Sequence, residues 1–130
     1  MKRSEMMERA KFYRHGSKMV YHFDFSGLNA EEAHDVAHYG KNVIAKMPQR
    51  SLLTLTDVTN VNYDEKFSAI SKDLVQHNKP FVLAGAVVGV TGWRKLAFWA
   101  ALKFTGRNNL RLFDSTEEAS EWLITFEEAC

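Results

Sequence analysis

Two histidines four residues apart are the first arrangement in this sequence that could do chemistry. His34 and His38 share the polar side of a segment with helical periodicity, and Glu31 lies beside them. Imidazole and carboxylate groups at this spacing can bind a divalent metal. A catalytic zinc, however, normally has three protein ligands that a second shell orients. A solvated helix face is therefore the preferred interpretation, and we predict no metal site.

Carboxylates at the ends of predicted strands are the second such arrangement. Asp57 and Asp114 could pair as an acid and a base, but turn and capping roles explain both. No serine stands in a nucleophile-elbow motif, and the single cysteine, Cys130, is the last residue. One cysteine allows no internal disulfide, which indicates a reducing compartment. We predict no catalytic residue and no cofactor, and we expect binding instead of catalysis.

Composition limits the classes of function. A chain of 130 residues with 45% hydrophobic side chains can bury one substantial core. Its 17 basic and 16 acidic residues nearly cancel, so no global field would attract nucleic acid. Residues 1–14 mix Lys, Arg and Glu with Met and lack the apolar run of a signal peptide or membrane span. We expect a cytoplasmic protein, with a peripheral location at the inner membrane face left open.

Strand and helix patterns alternate along the chain. Strands are predicted at residues 18–25, 51–58, 81–90 and 110–113, and helices at 29–47, 62–78, 93–104 and from 115 onward. Asn29 with Glu32, and Asn62 with Glu65, have the spacing of a helix cap. The alternation favours an α/β domain with a largely parallel sheet of four or five strands over residues 18–130. Residues 1–17 are an extension that could form a helix or an edge strand.

The last third of the chain carries a family resemblance. The buried strand 81–90 leads to Trp93-Arg94-Lys95-Leu96, then to Arg111-Leu112-Phe113-Asp114 and Glu117-Glu118-Ala119-Ser120-Glu121-Trp122-Leu123. This succession resembles the SpoIIAA-like branch of the STAS superfamily, while residues 18–75 agree only in the order of elements. The resemblance implies a small α/β domain that acts as a protein-interaction switch, a nucleotide or lipid sensor, or a membrane-associated module.

One motif of that superfamily is missing. Its anti-sigma-factor antagonists carry a phosphorylatable serine in an Asp-Ser-Ser-Gly-like motif at the start of the helix after the second full strand. Here that position reads Asn62-Tyr63-Asp64-Glu65-Lys66, and the first serine is Ser68. The carboxylates could imitate a permanent phosphate, but ordinary helix capping is preferred.

The carboxyl ends of parallel strands are where ligands of open α/β sheets collect. The glycines near this edge do not form a dinucleotide fingerprint, and an anion at Thr91-Gly92 ranks below a purely structural role. The candidate ligand or anion pocket at this edge consists of Asp57, Thr59, Gly89, Thr91, Gly92, Asp114 and Ser115.

The segment 93–104 is the most informative. At 100° per residue, the stripe that would cover the sheet is Trp93, Leu96, Ala97, Ala100, Ala101 and Phe104. The opposite side then holds surplus apolar residues rimmed by positive charge, as partner or membrane contacts do. This predicted contact surface consists of Arg94, Lys95, Phe98, Trp99, Leu102, Lys103 and Arg107. Alternatively, the extension with Met6, Met7, Phe12 and Tyr13 folds over it.

Two classes of binding follow from this surface. The first hypothesis is a protein partner, or a second copy of the chain, on the helix 93–104. The second is an anionic lipid surface or a small amphipathic molecule, bound through the same helix. An enzyme acting on a small anion ranks last, because no constellation supports it.

Overall fold

The computed structural model describes residues 1–106 and 109–126. Five helices and five strands lie in this part of the chain. The strands are β1 (Ala10–His15), β2 (Lys18–Asp24), β3 (Leu52–Asp57), β4 (Val82–Val88) and β5 (Leu110–Phe113). The helices are α1 (Arg3–Arg9), α2 (Ala30–Ile44), α3 (Glu65–Asn78), α4 (Arg94–Thr105) and α5 (Thr116–Leu123). Strand and helix alternate as the sequence predicts.

The five strands form one sheet in the order β1-β2-β3-β4-β5. β1 runs antiparallel to β2, and all other neighbours are parallel. The predicted largely parallel α/β sheet is therefore confirmed. The extension forms both of the structures left open for it, because α1 precedes the edge strand β1.

α2 is positioned by a complete capping box. The Asn29 side chain accepts a hydrogen bond from the Glu32 amide at 2.9 Å, and the Glu32 carboxylate accepts one from the Asn29 amide at 3.1 Å. The buried side of α2 holds the core of the predicted stripe: Ala33, Val36, Ala37, Gly40 and Ile44. A Cβ at Gly40 would collide with the Phe23 ring, so α2 lies against β2 as closely as a helix can. The predicted face of α2 is confirmed.

The N-cap of α3 lies two residues after the predicted one. Asp64, and not Asn62, is the N-cap, and its carboxylate accepts a hydrogen bond from the Phe67 amide at 2.9 Å. A carboxylate is favoured there because it faces the positive end of the helix dipole. The same bond explains the acidic residues at this helix start as capping.

The sheet separates two cores. Phe23, Val36 and Phe67 belong to the core beneath α2 and α3. Leu55, Ala86, Ala119 and Leu123 belong to the core on the opposite face, beneath α5. The central strand β4 contributes to both, as its unbroken apolar run predicts.

Candidate functional site: the helix α4 and the cavity beneath it

α4 follows a tight turn after β4. The Arg94 and Lys95 amides donate to the Thr91 and Gly92 carbonyls, both at 3.2 Å, so i to i−3 bonds form the first turn. Gly92 has a φ of 60° and Gly106 a φ of 72°, and both lie in the left-handed region that favours glycine. α4 is thus set between two glycine turns, and no side chain caps its start.

The orientation of α4 corrects the sequence prediction. Phe98 and Leu102, predicted to face outward, are only 7% and 6% exposed. Of the predicted surplus surface, Trp99 is the apolar residue that is exposed, at 51%. α4 is apolar on nearly every side, so helical periodicity alone cannot determine which side faces the core.

The alternative explanation for this surface is also wrong. The extension packs on α2 and β1, at the sheet edge opposite β5. Phe98 and Leu102 are instead covered by the core that they share with α3 and the sheet. Their burial therefore does not depend on residues 1–17.

A cavity lies beneath α4, bounded by α3 and the sheet. About 70 Å³ of it is available to the centre of a water molecule. Phe98 and Leu102 close it from above, and most other lining side chains are apolar. Thr54, Thr56, Ser71 and Asn78 bring a few polar groups. An apolar void of more than one water volume can stay dry and take an apolar ligand.

Gly85 lies under this cavity, in the middle of β4. It pairs with Thr54 on one side and Leu110 on the other, and both side chains line the cavity. A Cβ at Gly85 would meet Leu110 Cδ2 and would lie 2.8 Å from Thr54 Oγ1. Glycine lets these side chains lean over the strand. The sequence signal was Gly85 within an otherwise apolar strand.

Among the described side chains, three large apolar residues of α4 and its N-cap are exposed, and we call them the α4 stripe. Trp93, Leu96 and Trp99 follow one another at a spacing of three and are 65%, 75% and 51% exposed. The sequence analysis assigned Trp93 and Leu96 to the side that covers the sheet and Trp99 to the opposite side, so the stripe combines residues from both predicted faces. Large exposed apolar groups on one face mark contacts with partners or membranes.

Positive charge flanks the stripe. Lys95 and Lys103 are exposed and Arg94 is half-buried. Arg107, the remaining predicted contact residue, lies outside the described residues. Six of the 17 Lys and Arg residues fall in positions 74–113, where there is no Asp or Glu, and the other 11 share the rest of the chain with all 16 acidic residues. The small net charge therefore hides a strongly basic region that includes α4.

Several predicted pocket residues at the carboxyl edge form hydrogen bonds or close contacts within the fold. Asp57 Oδ1 accepts hydrogen bonds from the Thr59 amide at 2.9 Å and from its hydroxyl at 2.6 Å. Gly89, with a φ of 95°, is in close contact with Thr59. The Ser115 hydroxyl caps α5 by accepting from the Glu118 amide at 3.1 Å.

The other members of that pocket lie apart. Thr91 and Gly92 are exposed at the start of α4, and Asp114 is exposed after β5. β3 ends at Asp57, and β5 ends one residue before Asp114. β4 lies between these two strands, so the two carboxylates are not neighbours. A ligand at this edge stays a prediction.

The histidine pair on α2 is exposed, as expected of a solvated face. The His34 and His38 rings stack with centroids 6.2 Å apart. Within residues 1–106 and 109–126, no group of three or more His, Cys, Asp or Glu is placed to hold a metal ion.

A histidine that sequence reasoning left uninterpreted lies in β2. The His22 ring packs edge-on against Tyr13 with centroids 5.8 Å apart, and its buried Nε2 has no hydrogen-bond partner among the described residues. Burial lowers the pKa of His22, opposed by the nearby charges of Asp24 and Asp57. His22 lies two residues after Val20, on the same face of the strand, and this alternation was the sequence signal that it faces inward.

Comparison with known proteins identifies the fold. No family model and no curated protein matches this chain. It superposes with a TM-score of 0.70 on the crystal structure of an uncharacterized DUF3478-family protein from Shewanella loihica PV-4, described as having a SpoIIAA-like fold. The two are 16% identical, over 88% of this chain and 91% of that one. The chain has a SpoIIAA-like fold, so the predicted fold class is confirmed.

The helices of the described residues were also compared with what a bilayer requires. None of them combines the length and the apolar character needed to cross a membrane.

Proposed function

We propose that this protein is a non-enzymatic binding domain that docks on an anionic membrane surface through α4. The observation that carries the proposal is the α4 stripe. It places two tryptophans and a leucine outside the core, on one side of a helix whose neighbouring side chains are cations. This is the composition of a helix that lies in the plane of a membrane interface.

The apolar part of the proposal rests on the three stripe side chains, which the fold leaves exposed. Fully burying a large apolar side chain contributes roughly 1.5 to 3 kcal/mol, and none of the three stripe residues is more than half-buried. Tryptophan is enriched at membrane interfaces because its ring is apolar while its N–H can stay hydrated. Trp93 and Trp99 therefore suit the headgroup region better than they suit water.

The charge distribution supports an anionic surface. A basic side chain near such a surface contributes about 1 kcal/mol. Arg94, Lys95 and Lys103 lie on the helix that carries the stripe, within a stretch that has no acidic residue. The remainder of the chain is acidic in balance, so the same surface would repel it. This asymmetry would orient the domain with α4 toward the membrane.

The cavity extends the proposal to a small amphipathic ligand. Among the described side chains of α4, Phe98 and Leu102 line it, so the helix that would touch lipid also covers the void. A molecule with an apolar portion would replace water or empty space beside mainly apolar walls. Thr54, Thr56 and Ser71 offer a few hydrogen bonds to a polar group.

Vesicle flotation tests the membrane proposal. Wild-type protein should float at low salt with vesicles of about 30% phosphatidylglycerol and should float less at high salt. With vesicles of pure phosphatidylcholine it should remain at the bottom of the gradient. The variant Trp93→Ser/Leu96→Ser/Trp99→Ser should lose flotation. The control Met7→Ser/Met19→Ser removes two large apolar groups on other elements, each 47% exposed, and should float like the wild type.

A second set of variants separates charge from apolar burial. Arg94→Gln/Lys95→Gln/Lys103→Gln should float only weakly on anionic vesicles. The control Lys2→Gln/Lys11→Gln/Lys66→Gln lowers the net charge equally and should retain most of the binding. If wild-type protein does not float at low salt, or if both sets behave alike, the membrane proposal fails.

The second candidate is a protein partner or a second copy of the chain on the same stripe. The observation in its favour is the same: an exposed apolar patch suits a protein interface as well. The solution mass of wild type and stripe variant distinguishes the candidates. A dimer that the stripe variant abolishes, without flotation, would favour self-association.

A further inference from the structure

A cleft opens at the amino-terminal edge of the sheet, where two strands separate. β2 begins at Lys18 and β3 at Leu52, but the pairing of the two strands begins only at Tyr21 with Thr54. The first residues of each strand are bonded to the outer neighbour and not to each other. The gap between them, continued by the loop from α2 to β3, forms a cleft with about 580 Å³ available to the centre of a water molecule. We call it the amino-edge cleft.

The walls of the amino-edge cleft are largely apolar. They come from both sides of the sheet and from the chain after α5: Phe12, Met19, Met47, Leu53, Leu83 and Phe126. Met19 is 47% exposed although it lies within a strand. Methionine is flexible and polarisable, so Met19 and Met47 can adapt to ligands of different shape.

The mouth of the cleft is positively charged. Lys18 and Arg50 line it, and no Asp or Glu is among its described lining residues. Neither cation forms an ion pair with a residue of the described ranges 1–106 and 109–126. No described residue therefore neutralises their charges, which are available to an external anion.

The backbone holds Arg50 in an unusual conformation. Its φ of 53° lies in the left-handed region, where side chains other than glycine are uncommon. The Arg50 amide donates to the Pro80 carbonyl at 3.0 Å, and the next amide, of Ser51, donates to the Phe81 carbonyl at 3.1 Å. The Ser51 hydroxyl also donates to the Pro48 carbonyl at 2.7 Å. Such a conformation persists only where surrounding bonds determine it, and it places a cation beside an apolar cleft.

We infer that the amino-edge cleft binds a small amphipathic organic anion. Its carboxylate or phosphate would pair with Arg50 and Lys18, and its apolar portion would lie against Met19, Met47 and Phe126. Arginine suits either anion because its guanidinium can bind two oxygens at once. No described α4 side chain lines this cleft, so the inference stands or falls independently of the function proposed for α4.

Nuclear magnetic resonance titrations with octanoate and octyl phosphate test this inference on the full chain. Both probes should shift the amides of residues 17–19 and 49–53 and the methyl signals of Met19 and Met47. Uncharged octyl glucoside should bind more weakly. The tighter of the two anionic probes identifies the headgroup class, carboxylate or phosphate.

Charge variants supply the matched comparison. Arg50→Gln removes the charge but keeps a polar side chain, and it should weaken the binding of the anionic probes about tenfold, as should Lys18→Gln. Lys66→Gln removes a cation at the start of α3, away from the cleft, and should leave the affinity unchanged. Shifts confined to the cavity beneath α4, equal binding of octyl glucoside, or unchanged affinity in both charge variants would each overturn the inference.

Discussion

α2 and α4 belong to the core on the same sheet face and both contact α3, but they pack in different ways. α2 has a complete capping box and packs so tightly that Gly40 admits no side chain against Phe23. α4 has no side-chain cap, leaves a cavity beneath Phe98 and exposes the α4 stripe. One helix completes the core, whereas the other retains apolar surface that the core does not use. The difference locates the surface available for binding on α4.

The largest expected effect is a difference in the free energy of unfolding between variants on the two sides of α4. Phe98→Ala should lower the free energy of unfolding by about 3 kcal/mol, at the low end for such changes because the cavity already deprives the ring of contacts. Leu96→Ala, two residues earlier on the exposed side, should change it by no more than about 0.5 kcal/mol. Urea denaturation of both variants measures this. A larger loss for Leu96→Ala would contradict the orientation of α4.

Gly40 in the tightly packed α2 and Gly85 under the cavity beneath α4 allow the packing of the two regions to be compared. Gly40→Ala should destabilise the protein by about 2 kcal/mol, because Phe23 is enclosed by other aromatic rings and cannot yield. Gly85→Ala should cost less than about 1 kcal/mol, because Leu110 can turn into the cavity. Asn42→Ala, on the exposed side of α2, is the control for helix propensity and should not destabilise. Equal losses for the two glycine variants would argue against a void beneath α4.

These comparisons show why the sequence predicted α2 correctly and α4 incorrectly. In α2, polar and apolar residues alternate with the helical period, so only one face can be buried. In α4, Leu96 and Phe98 are both strongly apolar, and which of them faces inward depends on packing against α3, an earlier helix that the pattern of α4 alone does not describe. The cavity arises in the same way, from the packing of three elements around Gly85.

The amino-edge cleft was beyond sequence reasoning for a related reason. The cleft exists because β2 and β3 are paired only from Tyr21 and Thr54 onward. The register between two strands cannot be predicted from the sequence of either strand alone. The positive φ of Arg50 likewise had no glycine or asparagine to signal it. By contrast, the succession of strands and helices along the chain and the Asn29 cap depend on local patterns, and these were predictable.

The smallest expected effect is on the opposite, α5 side of the sheet. Because burial lowers the pKa of His22, the unfolded chain binds a proton near pH 6.5 that the folded protein does not. Stability should therefore fall as the pH decreases through this region, until the folded protein also takes up the proton. The measurement is urea denaturation at about pH 7.5 and about pH 5.5.

Two variants isolate this histidine. His22→Gln should show a smaller loss on acidification than the wild type, because its side chain does not titrate. His38→Gln, exposed on α2, should respond to pH like the wild type. An unchanged pH response in His22→Gln would mean that another group controls the acid sensitivity.

Quenching of Trp99 by brominated lipids tests the role of α4 most directly. In the variant Trp93→Phe/Trp122→Phe, Trp99 is the remaining tryptophan, and it is half-exposed in the free protein. With anionic vesicles that carry bromine on their acyl chains, its fluorescence should be quenched and should become less accessible to aqueous acrylamide. If Trp99 stays accessible to acrylamide and escapes bromine quenching while the protein is bound to the vesicles, α4 is not the surface that contacts the membrane.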